Sequence, residues 1–275
     1  MQTRQPIGIF DSGYGGLTIL KDIKQKLPQY DYIYLGDNAR SPYGTRSFET
    51  VYKYTLQCVE WFFQQGCPLV ILACNTASAK ALRTIQQNDL PKIDREKRVL
   101  GIVRSTSEVI GNYSKNKKIG ILATKGTVNS NSYVIEINKF FPEVKVVQKA
   151  CPMWVPLVEY GEYATEGAQY FVKKYINELL QLQPDIDTLL LACTHYPLLK
   201  NLIEKNLPAG IQVIPQGGIV AESLADYLFR HSEMNNKISK NGTLDFYTTE
   251  DPQGFTEQAT IFYGGLFEAK QIHLS

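Results

Sequence analysis

The chain has 275 residues, 44% of them apolar, enough to bury one large core or two of ordinary size, and two domains are expected. Its 29 basic and 27 acidic residues leave a formal charge of +2 without long single-sign runs, so nothing favours nucleic acid or an anionic membrane as a partner. Five cysteines with no C-x-x-C spacing fit a reducing compartment better than a disulfide scaffold or a structural zinc site.

Residues 1–6 lead into a strand without a signal-type core, and no apolar run reaches the ~18 residues of a membrane-spanning helix, so a cytoplasmic location is expected. From there short β-branched runs alternate with amphipathic segments, the signature of a mostly parallel sheet covered by helices. Strands are predicted at 7–10, 32–35, 69–73, 100–103, 118–123, 144–147, 188–192 and 212–214. The clearest helix carries Phe48, Val51, Tyr52, Thr55, Leu56, Val59, Phe62 and Phe63 at steps of three and four, and stops near Gly66. Helix-period segments also follow at 77–87 and 196–207. Lys115-Asn116-Lys117-Lys118 reads as a solvated loop, and 234–242 as a polar loop before a late strand or hairpin.

The loops after the strands share a chemistry: Asp11-Ser12-Gly13, Asp37 to Gly44, Asn75-Thr76, Thr124-Lys125-Gly126-Thr127 and Thr194-His195. Hydroxyls, amides and exposed N–H groups bind carboxylates without a cluster of arginines. Gly13-Tyr14-Gly15-Gly16 lacks the G-x-G-x-x-G spacing of a dinucleotide loop. Asp11 and Asp37, taken alone, read as turn or cap residues.

One stretch occurs twice. Leu69-Val70-Ile71-Leu72-Ala73-Cys74-Asn75-Thr76 returns in altered form as Leu189-Leu190-Leu191-Ala192-Cys193-Thr194-His195. Each copy reads as buried strand, thiol, then helix, which sets the sulfur where helix N–H groups favour its anion. A lone cysteine ordinarily fills a core, and Cys58 and Cys67 are left as core or surface. Cys74 and Cys193 differ because they share a context on both sides. Ile7-Gly8-Ile9-Phe10 and Ile119-Gly120-Ile121-Leu122 open the two halves at comparable distances before these thiols. The inference is two similar α/β domains with mostly parallel sheets, their cleft holding the active site with a thiol on each wall.

These motifs, with Asp11-Ser12-Gly13-Tyr14-Gly15-Gly16-Leu17, Pro42-Tyr43-Gly44, Cys151-Pro152 through Val158-Glu159 and Ala192-Cys193-Thr194-His195-Tyr196-Pro197-Leu198, closely resemble the cofactor-independent aspartate/glutamate racemase family. The resemblance runs from Ile7 to about Lys270, and both cysteine motifs in order make it specific. It implies interconversion of L- and D-glutamate without a cofactor or metal, supplying D-glutamate for peptidoglycan. By the same resemblance the first domain spans 1–97 plus 210–275 and the second 98–209. A homodimer is the expected assembly.

Carried over residue by residue, the resemblance makes Cys74 and Cys193 the catalytic thiols, acting on D- and L-glutamate respectively. It makes Asp11, Ser12, Tyr43, Gly44, Asn75, Thr76, Thr194 and His195 substrate contacts, joined by Thr124 of the hydroxyl-rich loops. Asp11 and His195 assist the thiols, and Glu159 is an acid near the site. Arg104-Ser105-Thr106 and Pro215-Gln216-Gly217 depart from the commoner pattern, apart from the motifs above.

The chemistry also follows from first principles, because racemisation removes a weakly acidic α-proton and returns one to the opposite face. One base would have to change sides; two thiols on opposite walls do not. Other readings stay open. A Cys-His hydrolase would pair Cys193 with His195, a poor geometry at two residues' separation that leaves Cys74 unexplained. A non-catalytic binding protein would use the same cleft, and a family decarboxylase would need one acid rather than two. Glutamate against aspartate rests on the resemblance alone.

Overall fold

The computed structural model describes residues 4–265 and 267–274. Residues 1–3 of the leading stretch, and 266 and 275 of the expected first domain, lie outside the described residues. Among the described residues the strands are β1 (Ile7–Asp11), β2 (Tyr32–Gly36), β3 (Leu69–Leu72), β4 (Arg98–Gly101), β5 (Lys118–Ala123), β6 (Lys145–Ala150), β7 (Thr188–Ala192), β8 (Gln212–Ile214), β9 (Leu244–Thr248) and β10 (Ala269–Gln271). They form two sheets, ordered β10-β9-β2-β1-β3-β4 and β6-β5-β7-β8, and every ladder is parallel.

Parallel sheets need cover on both faces, and the strands nearest the thiols are buried throughout, which is why they read as unbroken apolar runs. One contiguous core takes Ile7, Ile9, Leu69 and Ile71 from the first sheet together with Leu122, Leu189 and Leu191 from the second. The helix Phe48–Gln64 starts on Ser47, whose side chain accepts from the Thr50 N–H, and buries Val51, Thr55, Cys58, Val59, Phe62 and Phe63. Phe62 lies directly on Gly8 of β1, where a Cβ would come within 2.6 Å of its ring. Edge strand β6 is more polar and only partly covered, as an unpaired edge requires.

Four local expectations are corrected. The segment expected as a strand at 100–103 pairs only as far as Gly101, and Ile102 and Val103 begin a helix, Ile102–Ser107. Gly101 approaches Ser78 too closely for any Cβ, and the Ser78 hydroxyl accepts from the Val103 N–H, so the chain turns there. The helix expected at 77–87 breaks after Asn75–Lys80 into Leu82–Thr84 and a π-helical turn, Ile85–Asp89. Pro91, just beyond, supplies no N–H to continue an α ladder. The strand expected at 144–147 runs as Lys145–Ala150, and the polar stretch from 234 contains part of a helix, Ser232–Lys237, anchored by buried Met234 and Ile238.

The chain leaves the first sheet after Gly101, enters the second at Lys118, leaves it after Ile214 and returns at Leu244. Strands β4 and β8 therefore extend the two sheets a few residues beyond the divisions at 97/98 and 209/210.

Candidate active site

Because every ladder is parallel, the C-terminal ends of β1, β3, β5 and β7 deliver Ser12, Cys74, Thr124 and Cys193 to the rim where ligands of open parallel sheets bind. They line one cavity of about 230 Å³, smaller than the roughly 300–1,000 Å³ of drug-sized sites and suited to a small metabolite. Tyr43, Gly44, Asn75, Thr76, Glu159, Thr194 and His195 line the same space. Asp11 does not. It is fully buried behind the wall, where its carboxylate accepts from the Gly13 N–H at 2.9 Å and the Thr194 hydroxyl at 3.3 Å.

The two thiols sit in different surroundings. Cys74 caps the helix Asn75–Lys80, its Sγ 3.5 Å from the Ala77 N–H and 3.4 Å from the Ser12 hydroxyl. Burial pushes this thiol up to about 12 and the nearby Asp11 charge adds to the rise, against the two hydrogen bonds. Cys193 is followed by a turn and the 3₁₀ segment Tyr196–Leu199, with the α-helix starting only at Lys200. Its Sγ lies 3.9 Å from His195 Nδ1, so the loop does bring these two residues together despite their short separation in sequence.

His195 Nε2 lies 2.9 Å from Glu159 Oε1. Burial alone would lower the imidazole pKa, but its contacts with Cys193 and Glu159 outweigh that and raise it to about 10. Asp11 is raised by burial, against the opposing pull of His195 and its hydrogen bonds. An edge-on contact with Phe262, 5.3 Å between ring centroids, holds the C-terminal helix Pro252–Tyr263 over His195.

Two close approaches hold the halves together around the cavity. At Gly15 a Cβ would fall 2.2 Å from Thr194 Oγ1 and 2.5 Å from His195 Nδ1, so a glycine is required for helix Gly16–Lys26 to begin there. Gly16 is packed as tightly, since a Cβ there would fall 2.4 Å from the Cβ of Asp11. On the other side Gly44 lies against Thr124, and Thr76 Oγ1 meets Thr124 Oγ1 at 2.9 Å. Tyr43 is held from behind by Asp37, which accepts its phenolic hydrogen bond and pairs with Arg40 Nε at 2.7 Å.

Lys125 of the Thr124–Thr127 loop lies at the mouth, and among the lining residues not singled out from the sequence are Val155, Pro156 and Tyr160, on and just after the helix Trp154–Glu159. Their signal was the stretch from Cys151-Pro152 to Glu159, read only for its acid. Cys58 and Cys67 are core residues. The atypical segments also resolve differently. Arg104 lies on the surface, paired with Glu108 at 2.8 Å, whereas Gln216 reaches into the site motif by bonding Asn75. Among the described residues no group of three or more His, Cys, Asp or Glu side chains is arranged to hold a metal ion.

Comparison with known proteins adds to this geometry. Residues 15–224 match the Asp/Glu/Hydantoin racemase family model. The glutamate racemase of Geobacter metallireducens is 38% identical over 270 residues, 98% of this chain and 96% of that protein. The crystal structure of glutamate racemase isoform RacE1 from Bacillus anthracis superposes with a TM-score of 0.89 at 31% identity, over 99% of this chain and 98% of that one. The glutamate racemase of Francisella tularensis, solved in complex with D-glutamate, superposes with a TM-score of 0.87 at 32% identity, over 100% and 99% of the two chains.

Proposed function

We infer that this chain, which belongs to the Asp/Glu/Hydantoin racemase family and is an amino-acid racemase, interconverts L- and D-glutamate by a two-thiol proton transfer. The observation that carries this reading is the placement of Cys74 and Cys193, at the ends of strands from two different sheets, on one small cavity.

With L-glutamate bound, the Cys193 thiolate takes the α-proton and the Cys74 thiol delivers its own proton to the opposite face of the carbanion. The product is D-glutamate, and the two sulfurs have exchanged protonation states. Starting from D-glutamate the roles reverse. The imidazolium of His195 stands beside the Cys193 sulfur and stabilises its anion, while Glu159 holds the ring from the far side. On the Cys74 side the Ser12 hydroxyl and the Ala77 N–H supply the donors that an anionic sulfur needs. Asp11 assists from behind, holding Thr194 and the Gly13 backbone. Asn75, Thr76 and Thr124 provide amide and hydroxyl donors for the carboxylates as negative charge develops on the substrate, and Thr194, its hydroxyl hydrogen held by Asp11, lines the same space.

The reaction supplies D-glutamate for peptidoglycan in the cytoplasm. A chiral assay with L-glutamate, D-glutamate and both aspartates, in the presence of chelator and without pyridoxal phosphate, tests the reading. Racemisation of glutamate well ahead of aspartate is expected; faster turnover of aspartate would move the assignment to that substrate, and dependence on added metal or cofactor would overturn the mechanism.

A further inference from the structure

Behind the Cys74 wall four buried polar side chains from different parts of the chain close on one another. The Asn75 Nδ2 donates to Gln216 Oε1 at 2.7 Å, Gln216 Nε2 donates to Tyr133 OH at 2.6 Å, and Tyr133 OH donates to Asn75 Oδ1 at 2.6 Å. The second Gln216 N–H goes to Thr106 Oγ1 at 2.8 Å. Asn75 and Gln216 are each 2% exposed, and Tyr133 and Thr106 are fully buried.

The ring draws on both halves. Asn75 follows β3 of the first sheet, while Tyr133 sits on the helix Ser132–Phe140 after β5 of the second. Thr106 belongs to the helix joining β4 to β5, and Gln216 stands between β8 and the helix Gly217–Arg230. Of these residues Asn75 alone lines the cavity. Its carboxamide has two N–H groups and one oxygen; the ring takes one N–H and the oxygen, leaving the other N–H for a ligand. Turning that carboxamide over would set two oxygens or two N–H groups against each other unless Gln216 turned with it, and unpaired polar groups at this depth are costly.

We propose that Gln216 is a positioning residue for the racemase reaction, locking the Asn75 carboxamide so that it presents a fixed donor to the substrate. The proposal rests on the glutamate-racemase reading of the cavity. Asn75 acts on substrate directly and Gln216 only through Asn75, so the two substitutions must be coupled rather than additive.

A double-mutant cycle of Asn75→Ala and Gln216→Leu, with KM and kcat measured in both directions and thermal melting followed in parallel, tests this. In the native background Gln216→Leu should raise KM by about tenfold with a smaller change in kcat, the pattern of lost binding. In the Asn75→Ala background the same change should alter KM by less than about twofold. Tyr133→Phe removes both the donor to Asn75 and the acceptor for Gln216, so it should reproduce the KM rise and serves if Gln216→Leu does not fold. An equal KM rise in both backgrounds, or a drop in melting temperature with KM unchanged in the native background, would overturn the proposal. Turnover of glutamate by the native enzyme reports separately on the functional reading. If another amino acid proves to be the one racemised, the cycle is read with that substrate.

Discussion

Glu159 Oε1 and His195 Nε2 are 2.9 Å apart, joining a residue of the helix Trp154–Glu159 to the loop that carries Cys193. With the Cys193 contact on the other ring nitrogen, this pairing raises the imidazole from its usual 6.5 to about 10 in the folded protein. The stabilisation is fully present below about pH 6.5 and is lost as pH rises towards 10, because between those values only the folded state holds the proton. Thermal melting between pH 6.5 and 10 should show falling stability, and Glu159→Gln should flatten that slope. An unchanged slope in the variant would remove Glu159 from this role.

Thiol reactivity should follow the different surroundings of the five cysteines. Cys193 lies beside the His195 imidazolium, whereas burial pushes Cys74 and Cys67 each up to about 12 and also raises Cys58 and Cys151 well above the usual thiol range. Limited iodoacetamide treatment with peptide mapping should modify Cys193 first and abolish activity, and glutamate should slow both. Modification of Cys58 as fast as Cys193, indifferent to glutamate, would contradict it.

The parts of this site that were legible in the sequence are those built from one continuous stretch. A fully buried parallel strand must be an apolar run, so the runs ending at Cys74 and Cys193 announced both their depth and the rim they reach. Contacts between distant stretches left no local mark. The Asn75–Gln216 bond spans 141 residues, and Pro215-Gln216-Gly217 stood out only as a departure from the commoner family pattern, with nothing in it to say what Gln216 touches. The family resemblance gave His195 its place beside the thiols, but the contact itself depends on the turn that follows β7, which brings His195 Nδ1 to 3.9 Å from Cys193 Sγ. The Ile102–Ser107 helix was hidden because its β-branched start matches a strand, and only the tight Gly101–Ser78 approach ends the pairing.

Lys125 is the one lysine or arginine among the described residues lining the cavity, and its side chain is exposed at the mouth. A charge so placed draws in a substrate carrying a net negative charge and is screened by salt, with a Debye length of about 30 Å at 0.01 M falling to about 8 Å at 0.15 M. Lys125→Ala should raise KM for glutamate several-fold at low ionic strength, leave kcat nearly unchanged and abolish most of the salt dependence of KM. Equal salt dependence in the native and variant enzymes would contradict this role.

The two opposed thiols are tested most directly by racemisation in D₂O, stopped at a few per cent conversion, with each enantiomer separated and its α-position read by mass spectrometry. Thiol protons exchange with solvent far faster than carbon-bound ones. If Cys193 removes the proton from L-glutamate and Cys74 caps the other face, early D-glutamate carries deuterium while recovered L-glutamate stays protiated, and the reverse reaction gives the mirror pattern. Early product that keeps protium, or starting material labelled as fast as product, would show a single base serving both faces.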